Sequence, residues 1–225
     1  MYWFLFIAVA IASYVVQLNL QRKFELYSRI PVSGGLSGRD VALRMLRENG
    51  IYDVDVTCID GQLTDHYDPT KKTVNLSRDV YNGRSITAAS VAAHECGHAV
   101  QHAVAYAPLQ MRSALVPVVQ FASKWVTWVL LAGMLLIQMF PGVMIAGIIM
   151  FAMTTLFSFV TLPVEIDASR RAISWMNHSG IADASNIEPA EEALRAAAYT
   201  YVVAALASLG TLMYYVMILA GSRRN

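Results

Sequence analysis

The chain has 225 residues, 56% of them hydrophobic and only 15% charged, with a formal net charge of +1 and a mean hydropathy of +0.44. A soluble domain carries about 25% charged residues, so the deficit implies a chain partly solvated by lipid. A net charge this small offers no footing for nucleic acid or for an acidic partner. The two cysteines, Cys58 and Cys96, fit neither a zinc ribbon nor a redox pair and are expected as two reduced thiols on a cytosolic face.

In chain order, Met1 to Gln21 carries no charge and is long enough to cross a bilayer. It lacks basic residues ahead of its apolar stretch and a small-x-small cleavage site, which favours an uncleaved anchor over a signal peptide. Next comes a polar segment from Arg22 to Arg112. Gly34, Gly35 and Gly38 mark a loop, and Ser37 is placed to cap a helix carrying Val41, Leu43, Met45 and Leu46 that stops at Asn49-Gly50. Val54, Val56 and Cys58 alternate with polar residues as a strand does, Asp60-Gly61 and Asp68-Pro69 are turn signals, and Thr73 to Ser77 reads as a short strand. The Ala-rich stretch from Ile86 to Val104 predicts a helix capped by Ser85.

Trp125 to Val164 runs without a charge. At about 1.5 Å per residue it is long enough to cross a core of roughly 30 Å twice, with Pro141-Gly142 making the reversal. Glu165 to Arg195 is polar and too short to fold alone, so it is expected to pack on the first polar segment. Ala196 to Ser222 supplies a last apolar stretch. The expected class is mainly α, with about four transmembrane helices and a small α+β domain. The expected division is a membrane anchor (1–21), a polar domain (22–112), a transmembrane hairpin (113–164), a second polar segment (165–195) and a C-terminal transmembrane helix (196–225).

Most of the 17 Lys and Arg lie between Arg22 and Arg112. Arg170, Arg171 and Arg195 lie between the third and fourth spans. The positive-inside rule therefore puts both polar segments in the cytoplasm of a multi-pass inner (plasma) membrane protein. Arg223 and Arg224 run against this count.

Residues 94–98 read H-E-C-G-H. On a helix, His94 and His98 stand about 40° apart around the axis and about 6 Å apart along it, which lets both imidazoles converge on one tetrahedral zinc. Glu95 is about 100° further round, where a carboxylate misses the metal and reaches the water to be activated. This is the arrangement of a zinc peptidase, with Glu95 as general base. A catalytic zinc takes three protein ligands and keeps one open position. His102 continues the i+4 series, but it lies about 12 Å along the axis from His94, too far for one ion on a straight helix. Glu165, at the end of the uncharged run, is the favoured third ligand. Its alternative role is an interfacial acid paired with Arg170 or Arg171. Asp167 is the runner-up. His66 and His178 are loop and helix-end histidines with a lesser claim to a substrate carbonyl, and Cys96 reads as a buried small residue.

A-A-H-E-C-G-H-A-V-Q-H, the upstream Y-N-G-R-S-I, and L-P-V-E-I-D-A-S-R-R-A resemble the YugP-like bacterial neutral zinc metallopeptidases over most of the chain. They are similar more distantly to gluzincin membrane peptidases of the HtpX and CAAX-prenyl type. The resemblance implies a gluzincin-like catalytic domain, a cytoplasmic-facing site and ligation by His94, His98 and Glu165. The relatives' second motif is similar to E-x-x-x-D, and this chain has Ser169 at the Asp position. By sequence order the resemblance also implies that an extended substrate pairs with Thr73 to Ser77 as an edge strand. The implied substrates are peptides or membrane proteins in contact with lipid. A chain this small is of a size to serve in a larger membrane complex or a homo-oligomer. Two other readings compete: an intramembrane protease of the site-2 type, which needs the H-E-x-x-H helix within the bilayer, and a non-catalytic scaffold holding zinc structurally, which needs a fourth protein ligand.

Overall fold

The structure is a computed structural model that describes residues 2–183 and 186–222; Arg223 and Arg224 lie outside the described residues. It is mainly helical, at 75%, with one three-stranded sheet. In chain order the elements are α1 (Tyr2–Tyr27), α2 (Gly38–Glu48), β1 (Asp55–Ile59), β2 (His66–Asp68), β3 (Thr73–Ser77), α3 (Arg78–Asn82), α4 (Ile86–Ala103), α5 (Ala107–Leu135), α6 (Pro141–His178) and α7 (Ile187–Ser222).

One compact unit comprises Val16–Leu109 and Pro163–Tyr199. Its first helix forms as its cap predicts. The Ser37 hydroxyl accepts from the Asp40 backbone N–H, and the Asp40 carboxylate accepts from the Ser37 N–H, satisfying two donors that a helix start leaves open. The buried residues of α2 (Val41, Ala42, Met45 and Leu46) recur at helical spacing, and the helix packs on α4. Helix α4 is capped by the Ser85 hydroxyl, which accepts from the Ala88 N–H at 3.2 Å. Ala89, Ala92, Ala93, Cys96 and Ala99 bury its small-residue face in a core that also holds Val74 and Leu76 of β3. Ala172 and Met176 of α6, and Ala190 and Leu194 of α7, complete this core, so the second polar segment shares it with the first. At the end of α1, Lys23 Nζ donates to Glu192 Oε2 at 2.5 Å and the Tyr27 hydroxyl donates to the same oxygen.

The sheet corrects one expectation. Its order is β1-β3-β2, with β1 parallel and β2 antiparallel to β3. Thr73–Ser77 is therefore the central strand and not an edge. The reason is burial: Val74 and Leu76 are fully enclosed, which a strand achieves when it is flanked on both sides. The edges fall to β1 and to the short β2.

The other unit comprises the described parts of Met1–Val15, Gln110–Leu162 and Thr200–Asn225. Among the described residues three helices, α5, α6 and α7, are long and apolar enough to cross a membrane. The expected first span falls on α1, which is not among them, so the count found is three where about four were expected. The reversal also sits differently. Helix α5 ends at Leu135 and Pro141 opens α6, so the turn is made by residues 136–140. Proline suits the first helical position, where no N–H is needed and its fixed φ matches the helix. Helices α5 and α6 approach closely at Gly133, where a Cβ would stand 2.7 Å from the Met144 Cα. Thr155 and Ser208 share a 2.7 Å hydrogen bond between α6 and α7.

Candidate metal centre

Two helices of the polar unit build the site. Helix α4 presents His94 and His98 on one face, their ring centroids 4.8 Å apart and their planes nearly perpendicular. Helix α6 carries Glu165, two residues after Pro163. What brings the two helices together is Gly97. A Cβ there would lie 2.6 Å from the Ala168 carbonyl oxygen, so only a residue without one permits this approach.

His94 Nε2 lies 3.3 Å and His98 Nε2 3.7 Å from the same Glu165 oxygen. For comparison, a tetrahedron with bonds of about 2.1 Å has an edge of roughly 3.4 Å. Two imidazole nitrogens and a carboxylate form a donor set that suits zinc, so residue types and spacing both fit the ion. The group is enclosed: Glu165 is 3% and His98 7% exposed. Burial by itself would lower the pKa of His98. The carboxylates of Glu165 and Glu95 outweigh burial and raise it. Glu95 is itself buried, and among the described residues its carboxylate has no hydrogen-bond partner.

Outside this trio each ring is held from behind. Ser169 Oγ lies 3.1 Å from His94 Nδ1. Gln101 Oε1 lies 3.1 Å from His98 Nδ1. Gln101 is fully buried, and the sequence alone did not single it out. The signal available was its position three residues after His98, on the same helix face.

The remaining candidates stand apart from the trio. His102 Nδ1 shares a 2.8 Å hydrogen bond with the Tyr67 hydroxyl. Asp167 Oδ2 accepts from Arg171 Nε at 2.6 Å and from Gln101 Nε2 at 2.8 Å. His66 is engaged by the Thr64 carbonyl and Asn75, and His178 by the Ser174 carbonyl. Cys58 is exposed and Cys96 buried, both as free thiols. Burial pushes the Cys96 thiol pKa far up and leaves it inert.

Comparison with known proteins names the same metal. A family model described as "Putative neutral zinc metallopeptidase" matches residues 2–220. The chain is 44% identical over 220 residues to "Putative membrane protease YugP" of Bacillus subtilis (strain 168), covering 98% of this chain and 97% of that one. No solved structure matches. A match over nearly the whole length, in a chain whose two histidines and glutamate converge with zinc-like spacing, means that the protein belongs to the neutral zinc metallopeptidase family and has zinc as its cofactor.

Proposed function

We propose that the protein is a membrane-embedded, zinc-dependent endopeptidase that cleaves peptide bonds of membrane or membrane-proximal proteins on the cytoplasmic side of the inner membrane. His94, His98 and Glu165 hold the metal, and Glu95 is the general base. The observation that carries this reading is the convergence of the three donors in a buried spot beside a carboxylate free to act. Bound zinc supplies Lewis acidity toward a water and a scissile carbonyl. Glu95 takes the proton from the attacking water and returns it to the leaving amine nitrogen, so no net proton is consumed. An extended substrate pairs along β2, the sheet edge that packs on α4. The α4 helix lies in the unit that contains the sheet and is not among the candidate spans, which weighs against cleavage within the bilayer. The group of ligating side chains among the described residues has three members, one short of a closed structural site.

The test is Glu95→Gln in purified protein, with zinc content and casein-type proteolysis measured together. Zinc is expected to stay at one per chain while hydrolysis is lost, whereas His94→Ala or His98→Ala loses both. Full activity of Glu95→Gln would exclude Glu95 as the base.

A further inference from the structure

We infer that Gln101 is a positioning residue that locks His98 in the tautomer carrying hydrogen on Nδ1, so that Nε2 is presented as a bare donor to the metal. This inference rests on the zinc reading above and deepens it.

Which end of the Gln101 amide faces which partner decides the tautomer. Gln101 Nε2 lies 2.8 Å from the Val164 carbonyl oxygen and 2.8 Å from Asp167 Oδ2. Both partners only accept. Turning the amide over would set the oxygen of a fully buried side chain against a carbonyl and a carboxylate, leaving three acceptors facing one another. Donation by Nε2 to both is therefore obligatory, and Oε1 must be the atom 3.1 Å from His98 Nδ1. An amide oxygen cannot donate, so Nδ1 must carry the hydrogen. The other ring nitrogen, Nε2, is the atom directed at Glu165. The chain extends one link further back, because Arg171 Nε, which can only donate, also points at this Asp167 oxygen at 2.6 Å and so requires it to accept. Arg171, Asp167 and Gln101 thus form a relay of fixed polarity ending on one imidazole. It also accounts for Asp167, an acid near the site that is not a ligand.

A neutral imidazole not held in this way divides between two tautomers, and only one can ligate through Nε2. Losing the partner that selects it weakens metal binding by on the order of 10- to 100-fold.

The experiment uses full-length protein in detergent or nanodiscs with ¹⁵N-labelled histidine. Long-range ¹H–¹⁵N correlation reads the His98 tautomer in metal-free protein, at a pH where the ring is neutral. Competition with a chromophoric chelator reads zinc affinity. Wild type is expected to show Nδ1–H. Gln101→Leu is expected to mix the tautomers and lose zinc affinity by 10- to 100-fold. The tautomer is the readout that a loss of packing alone would not move. An Nε2–H tautomer in wild type overturns the inference without any variant, which covers the case in which Gln101→Leu does not fold. Unchanged tautomer and affinity in folded Gln101→Leu overturns it equally. Wild-type protein that binds no zinc at these residues would instead defeat the zinc reading itself.

Discussion

At the scale of single residues, the trio separates ligands from neighbours by what each side chain already touches. Glu165 is buried against two imidazoles, while His102 is engaged by Tyr67 and Asp167 by Arg171 and Gln101. Glu165→Gln is therefore expected to weaken zinc affinity strongly and His102→Ala to leave metal content nearly unchanged, with Asp167→Asn falling between at about 10- to 100-fold. Equilibrium dialysis against zinc ranks the three, and the assignment fails if His102→Ala strips the metal while Glu165→Gln retains it.

At the scale of elements, the site depends on how closely α4 and α6 approach and on how firmly α2 backs α4. Gly97→Ala puts a methyl group 2.6 Å from the Ala168 carbonyl oxygen, a backbone atom that cannot rotate away. It is expected to destabilise the protein by on the order of 1–3 kcal/mol and to lower zinc affinity, because the histidines ride on one helix and the glutamate on the other. A Gly97→Ala protein with wild-type melting and zinc binding would show that the helices are not held at this distance. Helix α2 contributes a pH dependence. Hydrogen bonds from the Ser37 side chain and backbone hold the Asp40 carboxyl below its ordinary pKa. A depressed folded-state pKa means that the carboxylate stabilises the fold above the unfolded pKa, and that this contribution is lost as pH falls through the folded value. Thermal melts of Asp40→Asn and wild type should therefore differ at neutral pH and converge as the solution is acidified; a constant gap would dissociate the cap from stability. Ser37→Ala is expected to cost about 1 kcal/mol.

At the scale of the whole molecule, the distribution of basic residues sets the expected topology. We expect the two polar segments to lie on one side, the cytoplasm, and the first helix to add a fourth crossing. The native thiols offer a direct probe. Cys58 is exposed on β1 and Cys96 is enclosed, so a membrane-impermeant maleimide is expected to label Cys58 in inverted vesicles and not in intact cells. Cysteines introduced near Glu188 should behave as Cys58 does, and those near Pro141 in the opposite way. Labelling of Cys58 and of the Glu188 region from opposite faces would contradict a shared site.

What the chain by itself determined was whatever short-range spacing controls. H-E-x-x-H at helical period, the Ser37 and Ser85 caps, the polar segments and the long apolar stretches are each local patterns, and helix geometry alone puts His94 and His98 on one face with His102 out of reach. Local pattern was silent where the outcome depended on a second element. Thr73–Ser77 looks the same as an edge or a central strand until β1 and β2 are both seen to flank it. The reversal could be placed at Pro141-Gly142 from residue type, yet α6 begins at that proline because the turn is closed before it. Gln101 and Ser169 are ordinary polar residues in sequence. They acquire roles only because Gly97 lets α4 reach the α6 backbone, setting partners 63 to 75 positions apart within hydrogen-bond distance.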